Sequence, residues 1–202
     1  MTDQPKRLFL SLEMPDSVRG ELERFIARLK TGCRFVDSHP KWVDIRNLHV
    51  TLVFIGMVAS SQVAKAIEAI ETVTADSDRF AVSIGGAGLF PPNSRNPKVV
   101  SSNVHSSDNG LAILHRALVA ELRRQGFDIE QRPYKPHLTL ARLTSVKTSA
   151  RLAPLLQSQG NLLNVKFPLT KVLLHESLLS SDGPEYQVLH EANLCPGKEL
   201  EI

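Results

Sequence analysis

The sequence predicts an α+β protein built on mostly antiparallel sheets, and three observations carry that reading. Short runs of alternating apolar and polar residues outnumber helical runs. Several neighbouring strand-like runs are joined by turns alone, where a doubly wound parallel sheet would need a helix each time. A strand-like tetrapeptide, His-apolar-Thr-Leu, also occurs twice, as His49-Val50-Thr51-Leu52 and His137-Leu138-Thr139-Leu140, once in each half of the 202 residues.

Arg7 to Leu12 reads as an apolar strand stopped by Met14-Pro15. Asp16 or Ser17 is placed to cap a helix in which Val18, Leu22, Phe25, Ile26 and Leu29 share a face, with Gly32 as the stop. Lys41 to Ile45 is expected to be a strand, and Asn47 opens the first repeat. There His49, Thr51 and Val53 fall on one face and Val50, Leu52 and Phe54 on the other, so burial of the apolar triplet would leave His49 and Thr51 side by side. Gly56 is expected to end that strand.

A second helix is expected from Ser60 or Ser61, with Val63, Ala66, Ile67, Ile70 and Val73 facing one way. Arg79 to Ile84 alternates as a strand, and Gly85-Gly86-Ala87-Gly88 followed by residues 90–97 reads as a loop. Lys98 to Val104 is another strand. A helix with Leu111, Leu114, Leu118 and Leu122 in register then ends at Gly126. Pro133 and Pro136 keep the approach to the second repeat extended, where His137, Thr139 and Ala141 share a face opposite Leu138 and Leu140. A short helix over Ala150 to Gln157 precedes two long strand-like runs, Val165 to Leu179, interrupted by Pro168, and Glu185 to Leu194. Ser181-Asp182-Gly183-Pro184 is the turn between those runs.

The length suits one sizeable core, or two small lobes sharing one. No apolar run is long enough for a signal peptide or a membrane span, so a cytoplasmic protein is expected. Cys33 and Cys195 lie far apart without metal-ligand spacing, and reduced thiols are expected. The net charge of +3 permits an anionic partner, but the scattered Lys and Arg form no basic block. A polyanion would have to be gripped locally. The glycine run matches neither a Walker loop nor a dinucleotide fingerprint.

The repeated motif suits phosphodiester cleavage. One group must activate the nucleophile and another must protonate the leaving oxygen, and histidine titrates close enough to neutrality for both tasks. A threonine two residues on presents its hydroxyl to the same place, where it can donate to a phosphate oxygen that gathers charge. Two copies make a cradle that needs no metal and no cofactor. His39, His105, His115, His175 and His190 fall outside the pattern and read as structural or surface residues. Phe9 and Tyr134 read as base-stacking candidates or, alternatively, as packing residues, and Trp42 as structural.

These residues resemble the 2H phosphoesterase superfamily and, within it, the RNA 2′,3′-cyclic phosphodiesterases historically called 2′-5′ RNA ligases. The resemblance runs through Arg7-Leu8-Phe9, both His-x-Thr-Leu motifs, Gly88-Leu89-Phe90-Pro91, Pro97-Lys98-Val99, Glu176-Ser177-Leu178-Leu179 and Tyr186-Gln187-Val188-Leu189. It implies a single domain over 1–202 made of two pseudo-symmetric lobes, with a central cleft lined by the two His-x-Thr strands. It implies hydrolysis of a terminal 2′,3′-cyclic phosphate on RNA to a 2′-phosphate, with His49 as proton donor and His137 as proton acceptor. Thr51 and Thr139 would hold the phosphate. Arg142 is a third candidate ligand, although strict alternation sets it on the face opposite His137. The chain departs from the family where an aromatic often follows Pro97-Lys98-Val99 and Val100-Ser101-Ser102 stands instead, which bears on substrate preference. A monomer is expected, acting on RNA ends or nucleotides away from any membrane. The competing readings are 2′-5′ ligation, a nucleotide-sugar cyclic phosphodiesterase, and a nucleotide-binding module without turnover.

Overall fold

The computed structural model describes residues 4–33, 39–92, 94–180 and 183–196. Nine strands and four helices follow one another over these residues. They are β1 (Lys6–Leu12), α1 (Asp16–Thr31), β2 (Lys41–Trp42), β3 (Thr51–Val58), α2 (Val63–Ala75), β4 (Phe80–Phe90), β5 (Val99–Ser106), α3 (Gly110–Arg124), β6 (His137–Arg142), α4 (Val146–Gln159), β7 (Asn164–Leu169), β8 (Lys171–Ser180) and β9 (Gly183–Asn193). They form two sheets, ordered β3-β1-β8-β9 and β2-β6-β5-β4-β7. Every ladder within them is antiparallel, as the α+β reading requires.

The helices bury the faces that their periodicity marks. Val18, Leu22, Phe25, Ile26 and Leu29 of α1 are all buried, as are Leu111, Leu114, Leu118 and Leu122 of α3. Two of the four helices are also exchanged between sheets. α1 follows a strand of the first sheet but packs on β7 of the second, while α3 follows a strand of the second and packs on β3 of the first. One apolar cluster runs through both sheets, from Leu8 and Leu10 to Leu138 and Leu140. No described helix is long and apolar enough to cross a membrane.

Several boundaries differ from the sequence expectation, each for a reason of packing. Pro15 occupies the N-cap of α1 without a side-chain cap, so neither Asp16 nor Ser17 serves there. Gly32 ends α1 in ordinary right-handed geometry. A Cβ on it would stand 2.9 Å from a methyl of Leu155 in α4 and 3.1 Å from the Arg28 carbonyl. The strand expected over Lys41 to Ile45 pairs only through Trp42, and Ile45 to Asn47 closes into a 3₁₀ turn capped by the Asp44 carboxylate. Gly56 does not end β3. At φ +90° it lets the strand bulge and continue to Val58, with Leu8 opposite Gly56 and Phe9 opposite Phe54.

The Gly85–Gly88 run is likewise strand rather than loop, because it pairs with β5 through another bulge. Ser145 caps α4, which therefore starts before Ala150. The run expected from Val165 to Leu179 with an interruption at Pro168 is two strands, β7 in the second sheet and β8 in the first, and Pro168 itself stays within β7 opposite Ala81. β8 and β9 pair down to Ser180 opposite Gly183. Ser181 and Asp182 of the turn expected between them lie outside the described residues.

Candidate active site

Both His-x-Thr-Leu motifs carry the same backbone irregularity. In the first, Ser11 of β1 faces Thr51 while Leu10 faces Val53, so Leu52 is an extra residue. In the second, Ser101 of β5 faces Thr139 while Val100 faces Ala141, so Leu140 is extra. A β-bulge of this kind shifts the side-chain phase by one. Two consecutive residues turn inward in each copy: Leu52 and Val53, both 2% exposed, and Leu140 and Ala141, both 0%. The residue five places after each histidine consequently returns to the histidine's face.

This corrects two expectations drawn from strict alternation. Val53 is buried and Phe54 is 64% exposed, the reverse of the expected pattern. Arg142 lies on the same side as His137 and Thr139, and its side chain is exposed. Its charge contributes to lowering the pKa of His49 on the other sheet.

Val50 and Leu138, both fully buried, form an antiparallel bridge that joins the two sheets at the motifs. Continuing that register one residue each way sets His49 against Thr139 and Thr51 against His137. The core side chains of the bridge point one way, and both His-Thr pairs therefore point the other.

The imidazoles are anchored identically. His49 Nδ1 lies 2.8 Å from the carbonyl of Asn47, and His137 Nδ1 lies 2.8 Å from the carbonyl of Lys135. A carbonyl oxygen only accepts, so each Nδ1 carries a hydrogen and each Nε2 is left for the cleft. The anchors are themselves held. Asn47 donates its side-chain amide to the Pro184 carbonyl at 2.8 Å, and Arg19 of α1 donates to the carbonyls of Ile45 and Leu48 at 3.0 and 3.4 Å. On the other side, Lys135 is flanked by Tyr134 and Pro136, whose ring restricts the backbone entering β6.

The two surroundings differ. His49 is half-buried in an aromatic box, with Phe9 at 4.9 Å and the edge of Tyr186 at 4.9 Å between ring centroids. Phe9 is 3% exposed and stacks its ring on His175 at 4.8 Å. Burial lowers the His49 pKa below that of an ordinary histidine, and the charges of His137, Arg142 and Arg19 add to the effect. The Asn47 carbonyl opposes them by favouring the protonated ring. His137 is exposed, with the 41%-exposed Phe90 stacked 6.2 Å away.

Several residues near the site escape the repeat pattern. His175, 8% exposed, contacts Ser11 Oγ through Nε2 at 2.8 Å, while its Nδ1 has no partner among the described residues. Burial, then the charges of His49 and Arg19, push its pKa down to about 4. His115 Nδ1 lies 2.9 Å from the carbonyl of Leu52, the bulge residue, and its ring stacks on Tyr134 at 4.2 Å. Tyr134 in turn donates to the Thr51 carbonyl at 3.4 Å, and burial pushes its phenol pKa up. Tyr134 and Phe9 are therefore packing residues in this structure, as is Trp42, which lies against the core with Lys30 Nζ 5.9 Å from its ring centroid. His115 is placed by its contact with the bulge residue and His175 by the pairing of β8 with β1, neither of which single-strand periodicity reveals. Of the remaining histidines, His105 is exposed and His190 of β9 pairs with Glu71 of α2.

Arrangement and sequence point to one family. The family model of the 2′-5′ RNA ligase superfamily matches residues 15–179. The chain belongs to the 2′-5′ RNA ligase superfamily. Among curated members, the RNA 2′,3′-cyclic phosphodiesterase of Aeropyrum pernix is 30% identical over 166 residues, covering 82% of this chain and 93% of that one. The protein of the same name from Methanothermobacter thermautotrophicus is 31% identical over 180 residues, covering 89% and 94%. Solved structures share the fold. E. coli LigT, solved with NADP+, superposes with a TM-score of 0.73 at 22% identity, covering 95% of this chain and 99% of that one. A protein of Thermus thermophilus superposes at 0.74 with 24% identity, covering 95% and 100%.

Proposed function

We propose that this chain is an RNA 2′,3′-cyclic phosphodiesterase: it hydrolyses a terminal 2′,3′-cyclic phosphate to a 2′-phosphate by paired-histidine acid–base catalysis. The observation that carries the reading is the matched anchoring of the two imidazoles. Each donates Nδ1–H to the carbonyl two residues before it, on strands joined at Val50 and Leu138. The names of the Aeropyrum and Methanothermobacter relatives support the same activity, and the nucleotide in the LigT crystal supports a nucleotide-shaped ligand.

In this mechanism His137 Nε2 takes a proton from water as the oxygen attacks phosphorus. The P–O3′ bond breaks, and His49 Nε2 delivers its proton to the departing 3′ oxygen. Thr51 and Thr139 donate hydroxyl hydrogens to the non-bridging oxygens, and the charge of Arg142 farther along β6 favours the anion at longer range. No step requires a metal. Burial makes His49 a reluctant base in the empty site, and the bound phosphate offsets this, because an anion beside the ring favours its protonated form. We assign the whole chain, 1–202, to one monomeric domain of two pseudo-symmetric lobes, each contributing one motif.

The test is incubation with a short RNA ending in 2′,3′-cyclic phosphate, in the presence of EDTA. A 2′-phosphate product that disappears in both His49→Ala and His137→Ala supports the reading. Binding without turnover would replace it with a nucleotide-binding module, and turnover abolished by EDTA would overturn the metal-free route.

A further inference from the structure

The second sheet places two cations side by side on the face that carries His137 and Thr139. Lys41 of the edge strand β2 is directly opposite Arg142 of β6, and Arg142 is opposite Val99 of β5. Directly opposed residues of an antiparallel pair project from the same face. Trp42 and Ala141, the next pair, turn toward the core, so Lys41 and Arg142 turn toward the cleft.

Like charges in this position repel, and sheets ordinarily avoid them or supply a carboxylate. Among the described residues neither Lys41 nor Arg142 has an ion-pair partner, and the nearby Asp44 carboxylate is engaged by Arg46. Both cations are exposed. Among the described residues the pair thus lacks the anion that would relieve its repulsion, beside a site where the proposed substrate is a polyanion.

Position decides which anion fits. Thr139 faces Ser101 and Arg142 faces Val99, two residues along β5, which is about 7 Å at the rise of an antiparallel strand. A displacement of that size is on the order of one nucleotide step from a phosphate held between the two threonines. Resting on the proposed cyclic phosphodiesterase reading, we propose that Lys41, with Arg142, forms a second phosphate subsite that holds the internal phosphodiester one nucleotide upstream of the reacting end. The enzyme then distinguishes an RNA chain from a mononucleotide by charge, independently of base.

The subsite predicts a length-dependent contribution from Lys41. Two probes separate it from the reacting site: adenosine 2′-phosphate, and the dinucleotide ApA ending in a 2′-phosphate, which adds one internal phosphodiester. Calorimetric titration at low salt measures both affinities and needs no turnover, so its outcome is separate from that of the hydrolysis assay. Lys41→Ala should weaken the dinucleotide about fivefold, as expected for one exposed charge pair, and leave the mononucleotide within about twofold. Lys41→Arg should restore dinucleotide binding. For the dinucleotide, the slope of log affinity against log salt should become shallower by about 0.7 in Lys41→Ala, the value for one single-strand phosphate contact. An equal loss on both probes, no loss on either, or a wild-type protein that binds the dinucleotide no better than the mononucleotide overturns the subsite.

Discussion

The two half-sites are alike in backbone and unlike in everything around it. Each has a histidine tied by Nδ1 to the carbonyl two residues before it, a threonine facing a serine on the next strand, and a bulge at the following leucine. Their equivalent positions are filled differently. Where the first has Phe9 and Phe54, the second has Val99 and Arg142; where β8 sets His175 beside Phe9, β4 sets Phe90 beside Val99. One half-site is aromatic and partly dry, and the other is open and cationic. A repeated backbone device can therefore present two chemically equivalent imidazoles in unequal electrostatic settings, which is what a division between acid and base requires.

The largest expected effect tests what the halves share. His49→Ala and His137→Ala should each reduce turnover of a cyclic-phosphate RNA by on the order of 10²–10⁴, measured at saturating substrate. Retention of near-wild-type rate by either variant would mean that the halves are not partners.

The next effect belongs to the aromatic half alone. His175 has a folded pKa of about 4 against an ordinary 6.5. Its contribution to stability is complete above about pH 6.5 and is lost as the pH falls toward 4, because the unfolded chain takes up the proton first. The loss should reach up to about 3 kcal/mol, and His175→Leu should flatten it. Urea unfolding at pH 7.5 and 4.5 makes the measurement, and an equal acid slope in variant and wild type would refute the assignment.

Replacing one hydroxyl at a time sharpens the comparison further. Thr51→Val and Thr139→Val should each slow turnover by roughly 10- to 100-fold, as expected for one hydrogen bond to a charged oxygen. Single-turnover kinetics would show whether the cost falls on chemistry in both halves.

The smallest effect concerns the box around His49. Because burial is the leading cause of its lowered pKa, Tyr186→Ala should move that pKa up toward the ordinary value, and inorganic phosphate should raise it in the wild type. Histidine ring resonances followed by NMR across pH report both changes. A His49 titration indifferent to both would remove burial as the cause.

The two His-x-Thr motifs of the candidate site were legible in the sequence because they are repeated, and a repeat survives without knowledge of neighbours. The buried faces of α1 and α3 were legible for a related reason, since helical periodicity is written into a single segment. Strand phase was different. Whether Phe54 and Arg142 face the cleft depends on one extra residue in each ladder, and that is decided by pairing with β1 and β5, far away in the chain. The same holds for the split of Val165 to Leu179 between two sheets and for His175 and His115, whose places come from partners distant in sequence.

By itself, then, the sequence determined the α+β class, the amphipathic helices and the paired His-x-Thr motifs, all of which rest on spacing within short stretches. Only the tertiary structure decided the bulges, the exchange of helices between sheets, the aromatic box around His49 and the Lys41–Arg142 corner. Each of these depends on which strand lies next to which, a relation that local alternation cannot encode.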